Sequence, residues 1–386
     1  MNLLYLSHSE IPSSSANSVH VMKMCSAFSR LKHKVTLECL PGTILAKDAF
    51  SYYDVTPDFS VSCNDEKSYW LSGFLWHLKE KLPGVRVGPI PSILYGYGRI
   101  RNKVRRLSPD LIYSRNQYWL RACLKLRIPM VFESHHPPRN KLDYLLQKKI
   151  IKSAYFQKLV VISEKLKAIY LREFSELSQE IVLVCHDGAD PVSEDSFGQK
   201  CERKGVQVGY VGQIYNGRGI DVILQVAQKL RDISFQIIGG EKEEIERQKN
   251  LFEVPSNVKF YGHLPHSKLK SIYPNIDIAL APYQHQVSTY GGKGNTVDFM
   301  SPLKLFEYMS WKKTIICSDL PVLREVLSHD ESAIFVRPDD IEGWVAAISK
   351  LVTDPKIGKT LSEKAFSSFK EKYTWDARAK RVLTAI

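Results

Sequence analysis

Residues 205–230, GVQVGYVGQIYNGRGIDVILQVAQKL, set the pattern from which the fold of this chain is predicted. The apolar run up to Gly212 predicts a buried strand, and the apolar spacing after Gly219 predicts an amphipathic helix. Further strands are predicted downstream at 233–240, 257–262, 276–282, 314–318 and 332–336. Strands that alternate with helices favour a parallel sheet joined by crossover helices.

The N-terminal half repeats this alternation. Its predicted strands are 2–7, 34–40, 110–113, 129–133, 158–162 and 181–184, and a helix over 17–31 would have Asn17 or Ser18 as its N-cap. Between the two series, the polar and aperiodic segment 191–203 predicts an interdomain linker. We therefore predict an α/β protein with two doubly wound parallel-sheet domains, 1–195 and 196–372. A C-terminal helix at 373–386 would pack back on the N-terminal domain.

The composition is ordinary for a globular protein. Of 386 residues, 44% are hydrophobic and 25% charged, which excludes intrinsic disorder, a collagen-like fibre and a small disulfide scaffold. Seven cysteines without a CxxC pair indicate free thiols in a reducing compartment. The sequence has no signal peptide and no apolar run near the roughly 20 residues that span a bilayer. We therefore expect a cytoplasmic protein, or one bound peripherally to the inner face of the plasma membrane.

Positive charge is concentrated in one part of the chain. The formal net charge is +13, yet the stretch from Lys79 to Arg172 has 21 Lys and Arg against five Asp and Glu, a net of +16. Just before it, Trp70, Phe74 and Trp76 could form an apolar wedge of the kind found in interfacial helices. A solvated basic surface, docking to anionic lipid headgroups and nucleic-acid binding are the alternatives, and no nucleic-acid-binding signature supports the third.

Two segments of the C-terminal half are suited to bind an anion. Arg218 lies in the loop before a predicted helix, where helix N–H groups and a guanidinium would both attract a phosphate. In MSPLKLFEYMS, 300–310, Ser301 is expected to cap a helix beginning at Pro302, with the N–H groups of Leu303 and Lys304 at its open end.

Glu307 follows in the next turn of that helix, among apolar residues. A carboxylate in such a setting is costly unless something satisfies it. A vicinal diol such as a ribose would bond both of its oxygens. A bond to backbone or to a lysine within the protein is the alternative.

The N-terminal half has two candidate segments of its own. The first predicted strand leads into a loop of small residues, Ser13 to Ala16, that could lie against a ligand. His135 follows the predicted strand 129–133 at the end where α/β sheets place their ligands. A lone histidine is more often structural, but the Glu133-x-His135 pair at a strand exit makes a catalytic role an equal alternative.

Together these segments resemble the family 4 retaining glycosyltransferases of GT-B architecture, in which two Rossmann-like domains face each other across a cleft. The segment 210–221 resembles the family's G-R-x-x-x-K-G donor loop, and 301–321 resembles the segment with the second glutamate of its E-x7-E motif. The other matching segments are 20–37, VISEKLK at 161–167 and HDGAD at 186–190. The motifs occur in the family's order and spacing over essentially the whole chain.

The resemblance implies roles for individual residues. Glu307 would hold the ribose of a nucleotide-sugar. Arg218 and the N–H groups of Leu303 and Lys304 would hold its diphosphate, and His135 would lie near the transferred sugar. The remaining implied donor contacts are Gly212, Gln213, Tyr261, Gly262, His263, Asp298 and Ser301, and the implied acceptor-side loop is Ser15, Ala16 and Asn17.

Three positions depart from the family pattern. Gln213 replaces an arginine that would contact the phosphates, and Ala16 replaces a glycine. Phe299 stands where the family has the first glutamate of the pair, so Asp298 or backbone groups of 295–301 would have to substitute.

The resemblance implies a hexosyltransferase-type enzyme that transfers sugar with retention of anomeric configuration. The chain has no D-x-D motif, so we expect neither metal nor cofactor, with cations and helix ends neutralising the leaving group. The expected partners are a nucleotide-sugar donor, a glycan or lipid-linked acceptor of cell-surface polysaccharide biosynthesis and an anionic membrane surface, but no nucleic acid. A nucleotide-sugar 2-epimerase-like GT-B enzyme and a catalytically inactive GT-B binding protein are the alternatives.

Overall fold

In the computed structural model the chain divides into two compact units. The first consists of Met1–Val161, Lys167–Cys185 and Ala379–Ile386, and the second of Ile162–Leu166 and His186–Arg378. The structure describes residues 1–42, 48–63, 90–197, 205–288 and 294–386. The predicted aromatic wedge at Trp70, Phe74 and Trp76 lies outside the described residues, as does part of the predicted linker.

The first unit is built on a seven-stranded sheet in the order β3-β2-β1-β4-β5-β6-β7, with every neighbouring pair parallel. Its strands are β1 (Asn2–Ile11), β2 (Lys34–Pro41), β3 (Ser60–Cys63), β4 (Leu111–Ser114), β5 (Met130–Ser134), β6 (Phe156–Val161) and β7 (Val182–Val184). The helices in this part of the chain are α1 (Ala16–Arg30), α2 (Ala49–Tyr53), α3 (Ile90–Leu107), α4 (Gln117–Cys123), α5 (Lys141–Ile151) and α6 (Glu164–Glu173).

The second unit is built on a six-stranded sheet in the order β10-β9-β8-β11-β12-β13, again entirely parallel. Its strands are β8 (Gln207–Val211), β9 (Ser234–Ile238), β10 (Val258–Gly262), β11 (Ile278–Ala281), β12 (Thr314–Ser318) and β13 (Ile334–Val336). Its helices are α7 (Ile220–Lys229), α8 (Lys242–Leu251), α9 (His266–Leu269), α10 (Leu303–Ser310), α11 (Pro321–Arg324), α12 (Ile341–Thr353) and α13 (Pro355–Lys372). The last helix, α14 (Trp375–Thr384), begins in the second unit and ends in the first, which includes Ala379–Ile386.

The predicted α/β class with two doubly wound sheets is confirmed, and each predicted strand overlaps an observed one. Strand β3 was not predicted because its sequence, SVSC, offers little apolar surface and the strand lies at the sheet edge. The predicted N-cap of α1 was wrong. The cap is Ser15, whose Oγ accepts a hydrogen bond from the Asn17 N–H at 3.3 Å. Of the described helices, none combines the length and apolar character needed to cross a membrane.

In each sheet the order of the strands reverses beside the first strand. Strand β1 lies between β2 and β4, and β8 lies between β9 and β11. The crossovers on the two sides of such a strand leave in opposite directions, which opens a crevice at the carboxyl ends of the strands. The segments that follow β1 and β8 are therefore placed where an α/β sheet binds ligands.

A buried ion pair connects α3 to the first sheet. Glu38 on β2 has a fully buried side chain, and Lys103 of α3 donates hydrogen bonds to its carboxylate and to the Ser62 hydroxyl on β3. A buried carboxylate is tolerated only when a partner compensates its charge. Lys103 therefore holds the helix against the sheet, whereas Arg105 on the same helix is exposed.

Replacing Lys103 with methionine is expected to lower the free energy of unfolding by about 3 kcal/mol, because it leaves an unpaired carboxylate inside the sheet. Arg105→Met on the same helix serves as the matched control and should change it by less than about 0.5 kcal/mol. Urea unfolding followed by circular dichroism measures both. Equal stability of the two variants would show that the buried pair contributes nothing.

Candidate functional site

A buried ammonium group lies at the carboxyl edge of the second sheet. Lys304, in the first turn of α10, is 8% exposed, and its Nζ has no hydrogen-bond partner among the described residues. The Nζ lies 3.5 Å from the ring centroid of Tyr210 and 5.1 Å from that of Tyr283. Burial, followed by the neighbouring Arg218 cation, holds the pKa of Lys304 well below its usual range.

The end of this side chain packs against the glycine that follows β8. A Cβ on Gly212, directly after β8, would lie 2.8 Å from Cε of Lys304 and 2.9 Å from its Nζ. The predicted site residues Gly212 and Lys304 are therefore in contact, although they are far apart in sequence. The side chain of Lys304 was not predicted to take part, because the sequence assigns only its backbone N–H to the helix terminus.

Arg218 and Lys304 contact the same aromatic ring, that of Tyr283. The Cζ of Arg218 is 5.3 Å from the ring centroid of Tyr283, and its Nε is buried without a hydrogen-bond partner among the described residues. The next residue, Gly219, has φ of 77°, and a Cβ there would lie 1.9 Å from the carbonyl oxygen of Pro282. Only glycine fits this turn, which holds the loop with Arg218 against the end of β11.

Gln213 adds a third unpartnered polar atom to this edge. Its backbone oxygen accepts a hydrogen bond from the Tyr210 hydroxyl at 2.5 Å, while its side-chain Oε1 is buried without a partner among the described residues. Buried polar groups in proteins are nearly always satisfied, so three unsatisfied groups in one place indicate room for a ligand.

Glu307 lies one turn after Lys304 on the same face of α10. Its Oε2 accepts a hydrogen bond from the Tyr273 hydroxyl at 2.6 Å, and Tyr273 is 1% exposed. Burial, followed by the Glu307 carboxylate, raises the pKa of Tyr273 well above its usual range. Tyr273 thus donates a fixed hydrogen bond that orients the partly exposed carboxylate.

The segment Tyr261–His263 follows on the same edge of the sheet. The Gly212 N–H donates to the Ile238 carbonyl at 2.8 Å, and the Gly239 N–H donates to the Gly262 carbonyl at 2.8 Å. The ends of β8, β9 and β10 are thereby joined in order. Tyr261, Gly262 and His263 accordingly lie two strands away from Gly212.

The start of α10 differs from the prediction at Ser301. Ser301 is not the N-cap. The cap is Pro302, and the Ser301 hydroxyl instead accepts a hydrogen bond from the Asp187 N–H at 2.9 Å. Ser301 therefore joins the HDGAD segment to this helix, a long-range contact that helix-capping rules do not reveal. Asp298, expected to substitute for the missing glutamate, is exposed, and the neighbouring Phe299 is half-buried.

In the first unit, Glu133 and His135 form a polar centre at the end of β5. The Glu133 side chain is fully buried, and its Oε1 lies 2.5 Å from His135 Nε2 and 2.9 Å from His20 Nε2. The two histidine rings lie edge to face with centroids 4.9 Å apart, and the Tyr113 hydroxyl donates to Oε2 of Glu133. His135 is partly exposed, so one face of this centre is accessible to a ligand.

The predicted acceptor-side loop follows β1. Ser15 and Ala16 are exposed, and Asn17 donates a hydrogen bond from Nδ2 to the Ser9 hydroxyl at 2.6 Å. The loop is thus anchored at Asn17 while its two preceding residues face solvent.

Four residues that contact these groups were not predicted from the sequence: Tyr210, Tyr273, Tyr283 and His20. Tyr283 follows β11 at the reversal of strand order, a position that could have suggested it. For the other three, buried inside strands and helices, the sequence carries no signal that separates them from ordinary core residues.

A family model described as "Glycosyl transferases group 1" matches residues 205–354, most of the second unit. An uncharacterised glycosyltransferase of Methanocaldococcus jannaschii is 22% identical over 241 residues, 58% of each chain. An alpha-galactosylglucosyldiacylglycerol synthase of Streptococcus pneumoniae is 25% identical over 160 residues, 40% of this chain and 38% of that protein. The matches thus span only about 58% and 38% of these two relatives.

Solved structures match over the whole chain. Sucrose-phosphate synthase from Thermosynechococcus elongatus has a TM-score of 0.72 at 16% identity, covering 100% of this chain and 98% of that one. Anabaena HepE, solved in complex with UDP, has a TM-score of 0.68 at 14% identity, covering 100% and 99%. With its two parallel-sheet units, the chain has the GT-B fold.

Because the Lys304 ammonium is buried without a hydrogen-bond partner among the described residues, Lys304→Met is expected to raise the free energy of unfolding at pH 7 by about 1–3 kcal/mol. The pKa of Lys304 is lower in the folded protein than in the unfolded chain. At pH values between these two pKa values, the unfolded chain therefore binds more protons than the folded protein. The stability of the wild type should therefore rise with pH toward about 10, and the gain from the mutation should shrink.

Guanidinium unfolding at pH 7 and pH 9.5 measures this difference, with the exposed Lys364→Met as the matched control. A Lys304→Met variant that is less stable than the wild type at pH 7 would show that the ammonium is already compensated within the protein.

Proposed function

We propose that this protein is a glycosyltransferase that moves a sugar from a nucleotide-diphospho-sugar to a glycan or lipid-linked acceptor. The observation that carries the proposal is the pair of cationic groups, Lys304 Nζ and Arg218 Nε, both buried and both without a hydrogen-bond partner among the described residues. A buried charge that lacks a counter-ion is expensive, and a diphosphate would supply the missing negative charge. The match of 205–354 to a glycosyltransferase model supports the same conclusion.

The two cations would bind the diphosphate from two sides. Arg218 offers a planar guanidinium for bidentate contact, and Lys304 offers a point charge next to the open N–H groups of α10. Lys304 then supplies the charge that is missing where Gln213 replaces an arginine. Glu307, held by Tyr273, would accept hydrogen bonds from the ribose hydroxyls.

These groups favour departure of the nucleoside diphosphate. As the bond from the anomeric carbon to the phosphate oxygen breaks, negative charge builds on the diphosphate, and fixed cations stabilise it. We propose that the acceptor hydroxyl attacks the same face of the sugar and passes its proton to the departing phosphate oxygen. The configuration at the anomeric carbon is then retained.

His135 would act on the sugar side of the reaction. Glu133 fixes the ring of His135 through the 2.5 Å contact with its Nε2, so that the accessible face of the imidazole has one orientation. We propose that His135 binds a hydroxyl of the transferred sugar, with Ser15 and Ala16 lining the acceptor side.

The activity is tested by incubating the full chain with UDP-, GDP- and ADP-sugars and a panel of glycan and glycolipid acceptors, with and without EDTA. Release of nucleoside diphosphate together with an elongated acceptor is expected, at rates that EDTA does not change. Formation of a free epimerised sugar would instead identify an epimerase-like enzyme. Donor binding without any product would identify a protein that only binds the nucleotide-sugar.

Glu307→Ala is expected to weaken binding of the nucleoside diphosphate by about 1–3 kcal/mol, because it removes a charged acceptor of hydrogen bonds from the ribose. Tyr273→Phe should have a smaller effect, since it only releases the carboxylate from its fixed orientation. Isothermal titration measures both. Unchanged affinity in a folded Glu307→Ala variant would contradict the ribose assignment.

We further propose that the acceptor is presented at an anionic membrane surface. Helix α3 has four arginines, Arg99, Arg101, Arg105 and Arg106, of which the last two are exposed. Lys103 belongs to the same basic stretch of the sequence, but its ion pair with the buried Glu38 leaves it unsuited to bind lipid headgroups. The Streptococcus relative is named as a synthase of a diacylglycerol glycolipid, which supports an acceptor of this kind.

Reversing the charge at Arg101, Arg105 and Arg106 to glutamate should reduce binding to phosphatidylglycerol vesicles at least tenfold, since each surface cation contributes about 1 kcal/mol. Co-sedimentation at 50 and 300 mM salt measures it, and screening should weaken the wild type at the higher concentration. Reversal of the exposed Lys356, Lys359 and Lys364 on α13 is the matched control. Equal losses in both triple variants would contradict a specific role for α3.

A further inference from the structure

Two cysteines lie side by side at one edge of the first sheet. Cys39 on β2 and Cys63 on β3 are register partners across a parallel pair, and their Sγ atoms are 3.5 Å apart. Cys39 is buried and Cys63 is exposed, whereas the other described cysteines, Cys25, Cys123, Cys185 and Cys317, are all buried.

We propose that Cys39 and Cys63 form a reversible disulfide, with Cys63 as the thiol that meets the oxidant. This proposal is independent of the glycosyltransferase activity, because neither cysteine belongs to the groups assigned to donor or acceptor.

The backbone geometry suits such a bond. Neighbouring strands lie about 4.8 Å apart, and disulfides join residues whose Cα atoms are about 4.4–6.8 Å apart. The sulfur atoms have to approach by about 1.5 Å to reach the covalent length of about 2.05 Å. Rotation of the exposed Cys63 side chain can supply most of this movement, because β3 is an edge strand.

The electrostatics divide the two thiols into an attacking and a resolving partner. A hydrogen bond from Cys39 lowers the pKa of Cys63 to about 7, with help from the Lys103 cation and against the opposing effects of burial and Glu38. The same hydrogen bond, together with burial, raises the pKa of Cys39. A substantial fraction of Cys63 is therefore a thiolate at neutral pH, which is the reactive form of cysteine.

With hydrogen peroxide as the oxidant, the reaction takes two steps. The Cys63 thiolate attacks one peroxide oxygen, the O–O bond breaks, and Cys63 becomes a sulfenic acid while hydroxide leaves. The Cys39 sulfur then attacks Cys63 Sγ, the S–O bond breaks, and the disulfide forms. Overall, two thiols and one peroxide give one disulfide and two waters, and a dithiol reductant reverses the change.

The test uses the full chain, reduced, freed of reductant and exposed to graded hydrogen peroxide, then quenched with N-ethylmaleimide and digested for mass spectrometry. We expect a peptide linked through Cys39 and Cys63 that has lost two hydrogen atoms and that disappears after dithiothreitol. This measurement needs no variant, so it holds even if a substitution impairs folding.

Variants at Cys39 separate its two roles. Cys39→Ser keeps a hydrogen-bond donor beside Cys63, and Cys39→Ala removes it, while both abolish the disulfide. The pH at which iodoacetamide alkylation of Cys63 is half-maximal should stay near 7 in the serine variant and rise toward about 8.5 in the alanine variant. Cys123→Ser, which alters a buried thiol on α4, should leave both the linked peptide and the alkylation profile unchanged.

Two results would overturn the proposal. One is a peroxide-treated protein in which Cys63 is oxidised to sulfinic acid, or linked to a second chain, without a Cys39–Cys63 peptide. The other is a linked peptide that joins Cys39 to Cys25 instead.

Discussion

Parallel strands impose one constraint on which the rest of this structure depends. Two parallel neighbours can be joined only by a crossover that returns the chain to the starting edge, so helices cover the faces and every strand ends at the same edge. In both sheets that edge carries the polar side chains. Gly212, Arg218 and Tyr283 follow β8 and β11, and His135 follows β5. Chemistry is confined to the carboxyl ends because the strands themselves are buried on both faces, as Leu3–Leu6 of β1 are.

Much of this arrangement could be predicted from the sequence, for reasons that lie in local patterns. Apolar runs of strand length between amphipathic helices define the strands, and the predicted positions of Arg218 and Glu307 follow from helix geometry alone. Contacts between segments distant in sequence could not be predicted in the same way. The Ser301 hydroxyl bonds Asp187 rather than capping its own helix, because Pro302 occupies the cap. Lys103 looked like a surface cation until its buried partner Glu38 was placed on the neighbouring strand.

The tyrosines of the second unit show why a site needs more than its charged residues. Tyr283 lies against both Arg218 and Lys304. The face of an aromatic ring carries partial negative charge, so the Tyr283 ring attracts both cations. Tyr210 receives the Lys304 ammonium at 3.5 Å from its ring centroid. These contacts offset some of the cost of burying Lys304 without neutralising it. The ammonium can therefore remain buried and still retain its capacity to bind an anion.

Surface charge and site charge are distributed differently in this chain. The basic stretch from Lys79 to Arg172 accounts for more than the whole net charge of the protein, yet two buried carboxylates described in the first unit have partners within that unit. Glu38 has Lys103, and Glu133 has two histidines and a tyrosine. In the second unit, which contributes little to the net charge, Lys304 Nζ and Arg218 Nε are buried and have no hydrogen-bond partner within the part of the chain that the structure describes. Water and salt screen an exposed lysine, so its contribution to binding one anion is small. A buried cation held in a fixed position, as Lys304 is, acts at much lower effective dielectric and at shorter range. A binding site for a highly charged ligand is therefore better located by asking where charge is buried and uncompensated than by counting where charge is abundant.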